Sequence, residues 1–404
     1  MENVWVLASV WVGLALIATL LAIWLKLSTA LTEIVVGTVA QLIIGAFIVQ
    51  GGLGASARSG WIGFLAGTGA IVLTFLAGAE LDPAIFRTKW KEATVVGLVG
   101  FFAPFLGATA IAHYLLHWSV RSSWLAGVAL STTSVAVVYA VMLELGFNTT
   151  EFGKAILAAC FVNDLGTVIA LGLIFSPFTA KTLIFVAVSI VVFIILPLLT
   201  PRFFRKYGGR VSELEAKYLL FLLFAMGGLA VWSGSEAVLP AYVIGMMLAG
   251  SVGKDHVLIR RLRTLTFGLL TPFYFIRAGS FVSVPALIAA PLTFAALFLA
   301  KMLSKVAGLL PAVRAFKYRR EEGLYYTLMM STGLTFGTIS ALFGLNHGII
   351  DQAQYSYLVA TVIGSAVVPT LVANAFFLPR HLLPRRDEDG GVQSAAVAEA
   401  ATAD

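Results

Sequence analysis

Apolar residues run along this chain in long blocks, without the alternation of a half-buried strand or the one-sided stripe of a soluble helix. A bilayer is crossed by about 20 predominantly apolar residues in a helix. Blocks of that kind predict thirteen spans, at 4–25, 31–50, 60–78, 93–117, 123–143, 153–175, 180–200, 214–233, 236–253, 264–280, 285–311, 322–345 and 354–378. The pattern therefore predicts an all-α, polytopic membrane protein, with a transmembrane domain over 1–379. The first block lacks a basic leader and a small-residue cleavage site, so it reads as a retained helix. From about Pro379 the character changes to HLLPRRDEDGG and an Ala-rich end. Such a segment is too short and too poor in large apolar residues to form a domain, and 380–404 reads as a disordered cytoplasmic tail.

Composition supports the pattern. The chain is 59% hydrophobic and 12% charged, against about 45–50% and about 25% in a soluble domain. So little charge cannot cover a water-facing surface, which excludes a soluble enzyme, a nucleic-acid-binding protein and a disulfide-stapled secreted domain. The single cysteine, Cys160, sits in an apolar run and reads as a buried, inert thiol. No His cluster, Cys pair or Ser–His arrangement lies within the spans, so neither enzymatic chemistry nor a cofactor is expected.

The net charge of +7 acquires meaning from its placement. With the N-terminus outside, 21 of the 27 Lys and Arg residues fall in inside loops or at the adjoining span ends, and only Arg58, Arg121 and Lys181 in or beside outside loops. Three more, Arg277, Lys301 and Lys305, lie within spans. Positive loops stay cytoplasmic, so this bias predicts N-outside and C-inside in a cell (inner or plasma) membrane. It also removes nucleic acid as a partner.

An ionisable group at the bilayer centre costs about 2.5–3.5 kcal/mol on insertion scales, so each needs a reason. Asp164 lies mid-span in AILAACFVNDLGTVIALG (155–172), beside Asn163. The two could tie helices together through hydrogen bonds, but an unpaired carboxylate is a poor choice of glue, and a cation or proton site is the favoured reading. Lys301 and Lys305 stand one helical turn apart in FAALFLAKMLSKVAGLL (294–310); each alone could snorkel to an interface, although Lys305 is the natural counter-charge for a buried carboxylate. Arg277 either snorkels or lines an outward cavity. Glu33 and Glu236 read as interfacial, Glu80 and Asp82 as helix-end caps, and His347 as solvated.

Two spans are interrupted by hydroxyls and glycine: STTSVAV (131–137) in the fifth and MSTGLTFGT (330–338) in the twelfth. Ser and Thr back-bond to helix carbonyls and Gly weakens helices, so both are places to unwind. Such patches also serve as helix-packing glue. Unwound backbone at membrane depth is tolerated only against protein or a water-filled cavity. The two spans run in opposite directions, and paired broken helices of that kind are the trace of an inverted-repeat transporter with an ion site near the midplane. The span bearing Asp164 follows the first break. The residues point to a secondary transporter of a small cation.

With these motifs in view, the chain resembles the cation:proton antiporter-2 family of sodium/proton and potassium/proton exchangers, in particular its NapA-type members. The resemblance covers roughly 25–378. It rests on TEIVVGTVAQLIIG (32–45), TGAIVLTFLAGAELD (68–82), STTSVAVVYAVMLELG (131–146), FVNDLG (161–166), TPFYFIRAG (271–279), LSKVAG (303–308) and STGLTFGTISALFG (331–344), in family order. It implies thirteen helices, a homodimer, and an ion-binding core that moves against a dimerisation scaffold. It places Asp164 on the ion-binding aspartate, and Asn163 on a position that is Asp in electrogenic members. It also puts Lys305 on the transmembrane lysine, Thr133 and Ser134 on hydroxyls of the first break, and Thr335 where some members carry Glu.

On this reading Asp164 binds a proton or a monovalent cation, Na+ or K+, in competition, with alternating access exchanging one for the other. Thr132, Thr133 and Ser134 replace part of the cation's hydration shell, Asn163 positions Asp164 or ligates the ion, and Lys305 compensates charge or carries a second proton. Thr335, Arg277 and Lys301 are possible cavity lining. One titrating carboxylate implies electroneutral exchange; proton loss from Lys305 would make it electrogenic. The alternatives are a sodium-coupled organic-anion symporter of related fold and a Kef-like potassium efflux pathway.

Overall fold

A computed structural model describes residues 4–25, 27–47, 52–79, 83–147, 150–175, 179–209, 212–235, 237–253 and 255–383. Glu80, Asp82, Glu236 and the segment beyond 383 lie outside the described residues. Among those described, all regular structure is helical: α1 (Val4–Leu25), α2 (Thr29–Phe47), α3 (Gly52–Ser56), α4 (Gly60–Ala79), α5 (Pro83–Ala110), α6 (Val120–Ser131), α7 (Val135–Glu144), α8 (Glu151–Phe175) and α9 (Ala180–Tyr207). The second half continues with α10 (Leu214–Trp232), α11 (Val238–Leu248), α12 (His256–Leu265), α13 (Thr271–Ser280), α14 (Val284–Ala289), α15 (Pro291–Arg314), α16 (Arg320–Met329), α17 (Thr335–Asn346) and α18 (Gln352–Phe376).

Eight of these are long and apolar enough to span a bilayer unaided: α1, α4, α5 with its π-helical continuation, α8, α9, α10, α15 and α18. The other predicted blocks are filled differently. The fifth and twelfth are each two half-helices, α6/α7 and α16/α17, parted at the hydroxyl-rich motifs. The tenth is amphipathic α12 joined to α13 through a π-helical turn, and the eleventh is divided before Pro291 into α14 and α15. Proline cannot donate to the preceding turn and favours the first helical position, which explains that division.

One bundle packs α5, α8, α15 and α18 around the two broken pairs; a second packs α2 on α13 and α4 on α11, flanked by α1, α9 and α10. In the second bundle, glycines bring backbones together reciprocally. A Cβ on Gly37 would strike the Ile276 backbone, and one on Gly279 the Ile34 backbone. Close small-residue packing replaces the hydrophobic drive that lipid cannot supply. On α2, Glu33 is 2% exposed, a buried carboxyl where the sequence suggests an interfacial one. The outer face of α9 is apolar and open, with Leu183, Ile194 and Leu198 exposed, as expected where lipid is the solvent.

Candidate ion-binding site

The site lies where the two breaks meet. The first helix half of each pair ends in the same way, on a Ser–Thr dipeptide that caps its own last carbonyls. In α6, Ser131 Oγ donates to Val128 O (2.9 Å) and Thr132 Oγ1 to Ala129 O (3.1 Å). In α16, Ser331 Oγ donates to Thr327 O (2.7 Å) and Thr332 Oγ1 to Met329 O (2.8 Å). A helix end leaves its last carbonyls without intrahelical donors, and in a membrane core those carbonyls must be satisfied from within. The hydroxyl runs therefore make the breaks possible. Beyond them, Thr132 turns to extended backbone (φ −62°, ψ 149°) and Ser134 Oγ accepts from Val137 N (3.3 Å), starting α7.

Lys305, wholly buried on α15, joins the two breaks. Its ammonium donates to Thr133 Oγ1 (2.7 Å) and to Met330 O (2.8 Å), while Thr133 Oγ1 itself donates to Met330 O (2.8 Å). Lys301, equally buried, donates to Thr132 O (3.3 Å). Neither amine snorkels. Each reaches a carbonyl at the C-terminal end of one broken helix, where the helix dipole is negative and a cation is favoured.

Asn163, on α8, ties three segments together. Its Oδ1 accepts from Thr133 N (2.9 Å), and its Nδ2 donates to Ser131 O (3.3 Å) and Gly97 O (3.5 Å). Its amide is thus engaged on both atoms. Asp164 differs. Its side chain is 1% exposed, Oδ1 is buried without a hydrogen-bond partner, and no Lys305 nitrogen approaches it within 4.0 Å. Lys305 is engaged instead by Thr133 and Met330.

Thr335 opens α17 beside the second break and is nearly buried. Arg277 stands apart: its Nε donates to Ala57 O (2.8 Å) and its guanidinium lies 5.1 Å from the Phe281 ring centroid. None of these contacts touches the breaks. Cys160 is buried with Sγ 3.4 Å from Met330 Sδ, and exposed His347 lies against the Phe343 ring at a tilt of 36°.

Sequence reasoning missed several participants. Met330 acts through its main-chain oxygen, which has no side-chain signature. Tyr242 donates to Phe161 O (3.0 Å) and meets Phe336 edge-on, linking α11 to α8 and α17. Near the start of α5, buried Glu92 accepts from Tyr318 Oη (2.6 Å) and lies 3.7 Å from Lys89 Nζ. Tyr318 belongs to the α15–α16 loop; burial first, then its bond to Glu92, pushes its phenol well above the ordinary range, so it remains a neutral donor. The spacing of Glu92 from the basic Lys89 was the available signal.

Residues 12–377 match the family model described as sodium/hydrogen exchanger, transmembrane. Among curated proteins, the chain is 25% identical to the probable Na(+)/H(+) antiporter 3 of Methanocaldococcus jannaschii, covering 77% of this chain and 83% of that protein. It is 24% identical to a Na(+)/H(+) antiporter of Enterococcus hirae (84% and 91% covered). It is also 24% identical to the glutathione-regulated potassium-efflux system protein KefC of Shigella sonnei (82% and 55%). Arabidopsis thaliana cation/H(+) antiporter 18 is similar too, but the chain spans only 42% of its length. Among solved structures, the sodium proton antiporter MjNhaP1 of Methanocaldococcus jannaschii matches with a TM-score of 0.67 at 16% identity, covering 91% of this chain and 95% of that one.

Proposed function

The chain belongs to the sodium/hydrogen exchanger family, and on that premise we propose that it exchanges a monovalent cation, Na+ or K+, for H+ by alternating access, with Asp164 binding cation or proton in turn. The observation that carries this reading is the buried Asp164 Oδ1 without a partner beside two helix breaks. A carboxylate can hold either a proton or a cation, and in a low dielectric it will not stay empty and charged without cost. At the two breaks, Thr133 Oγ1 and the carbonyls of Thr132 and Met330 are held by the lysine amines, and an arriving cation competes with those amines for the same oxygens.

One titrating carboxylate exchanging one proton for one monovalent cation moves no net charge, so exchange is electroneutral. Asn163, with its amide already engaged by Thr133, Ser131 and Gly97, positions Asp164 and carries no charge through the cycle. Lys305 compensates charge, and Thr335 lines the approach to the second break. The basic inside loops favour a cell membrane with the N-terminus out, and the resemblance favours a homodimer.

The test is proton flux in proteoliposomes carrying an internal pH dye, with sodium, potassium and lithium pulsed separately, with and without a clamped potential. A cation-triggered pH change that ignores voltage is expected, and Asp164→Asn should abolish it. Transport retained by Asp164→Asn would remove the site assignment, and voltage-dependent exchange would end the electroneutral reading. A response that required an added organic anion would favour symport.

A further inference from the structure

Each bundle is held together through its own main chain. In the second, a Cβ on Gly78 would strike Tyr242 O and one on Gly245 would strike Phe75 O, so α4 and α11 form a unit. In the first, a Cβ on Gly97 would lie 2.8 Å from Ala159 O and one on Gly127 2.7 Å from Phe105 O, which joins α5 to α8 and to α6 in the same way. Where α8 faces α11 the contact is of another kind: beside Gly172 stands the Cδ1 tip of Leu239, at 3.1 Å. A side-chain tip can turn aside when packed helices shear past one another; a main chain cannot.

Two fully buried tyrosines cross this boundary in opposite directions. Tyr242 Oη, on α11, donates to Phe161 O in α8 (3.0 Å), and Tyr355 Oη, on α18, donates to Ala278 O in α13 (2.7 Å). Gln352, a turn before Tyr355, adds a bond from Nε2 to Phe281 O (3.3 Å). Phe161 is three positions before Asp164, and positions three apart share a helix face, so Tyr242 meets α8 on the face that carries the carboxylate. Its ring meets Phe336, the second residue of α17, edge-on with 5.6 Å between centroids. The phenol therefore stands between the Asp164 helix and the helix that leaves the second break.

Both acceptors are helix carbonyls. Phe161 O lies inside α8, where each carbonyl has its own intrahelical donor, and Ala278 O also accepts from Phe281 N (3.4 Å). A main-chain oxygen has two lone pairs, so withdrawing the tyrosine leaves no orphaned acceptor, and only the phenol needs a new partner. Such a bond can be made and released in every cycle at little cost. We propose that the Tyr242 and Tyr355 hydroxyls form a latch that holds the ion-binding bundle at one position against the other bundle, and that exchange requires both bonds to open. The two are positioning residues that touch neither cation nor proton, and the proposal rests on the exchange reading above.

Tyr242→Phe and Tyr355→Phe each keep the ring and remove the hydroxyl. In a Cys160→Ala background, a nitroxide is placed on each bundle through Leu173→Cys, near the end of α8, and Phe221→Cys, in the first half of α10, both exposed positions. Distances between the labels are measured in liposomes by pulsed electron resonance, beside thermal unfolding. Cation-driven proton flux is measured on unlabelled protein. Side-chain hydrogen bonds between transmembrane helices shift an equilibrium by about threefold on average. Each variant should therefore lower the ratio of the main distance to the others by about threefold, and the double variant by about tenfold, because the two bonds share no partner. A hydroxyl with a merely structural role would lower the unfolding temperature and leave the distribution alone. An unchanged distribution in either folded variant would overturn the proposal. If the wild type shows no cation-driven flux, the exchange reading itself falls; if flux is present and the distances do not respond, only the latch falls.

Discussion

Asn163→Ala offers the sharpest separation of a tying residue from an ion ligand. The substitution leaves the Thr133 N–H, now 2.9 Å from Asn163 Oδ1, as a buried donor without a partner. Such an orphan costs about 1–3 kcal/mol. The two bonds from Nδ2 are longer, 3.3 Å to Ser131 O and 3.5 Å to Gly97 O, and side-chain hydrogen bonds between transmembrane helices average about 0.6 kcal/mol. The sum is a loss of about 2–4 kcal/mol. A kcal/mol moves the midpoint by about 2–4 °C in a domain of about 150–250 residues and by less in a longer chain, so a drop of several degrees is expected in detergent-solubilised protein. Exchange measured in parallel should keep its cation KM within about tenfold, since one hydrogen bond's worth of positioning, about 0.5–1.5 kcal/mol, and not a ligand, has been lost. A variant that unfolds with the wild type while its KM rises steeply would refute the reasoning and make Asn163 a ligand.

Three further outcomes follow from contacts around the site. Tyr318→Phe removes the 2.6 Å hydrogen bond to buried Glu92; bonds to charged groups are worth about 1.5–3 kcal/mol, so the unfolding temperature should fall, and an unchanged one would show that neighbours such as Tyr326 and Lys89 take over. Gly97→Ala would drive a Cβ to 2.5 Å from Val162 Cβ and 2.8 Å from Ala159 O, and overpacking costs about 1–3 kcal/mol; a thermal scan showing no loss would mean that α5 and α8 part freely. Cys160, buried against Met330, should resist a membrane-permeant maleimide in the native protein, and rapid labelling would mean that the core opens far more than this packing allows.

Much of the architecture is legible in the sequence because a bilayer imposes length and apolarity on every span, and α1 begins and ends on the block that predicts it. The breaks are legible for a related reason: STTS and MSTG place capping hydroxyls where a membrane helix otherwise has no use for them. Asp164 and Lys305 stand out because charge at that depth is costly. What the sequence conceals is pairing. Lys305 meets Thr133 across 172 positions, and Thr133 meets the oxygen of Met330 across 197; a main-chain acceptor carries no residue code. Asn163 beside Asp164 reads as part of one polar site, but the three main-chain groups its amide meets leave no trace in the pattern. Glu33 reads as interfacial, yet the folded helices leave it 2% exposed, and which neighbours bury it is not written in its own segment. Arg277 stands near the outer end of its span in the pattern, but its contacts with Ala57 O and the Phe281 ring, 220 and 4 positions away, are not legible there.

The central claim is that cation and proton compete for Asp164. It is tested most directly by counting protons released when sodium, potassium or lithium is added to purified protein in weakly buffered solution. The account predicts release of about one proton per cation bound, saturating with the cation and absent in Asp164→Asn. Cation binding without proton release, or release that survives Asp164→Asn, would contradict it.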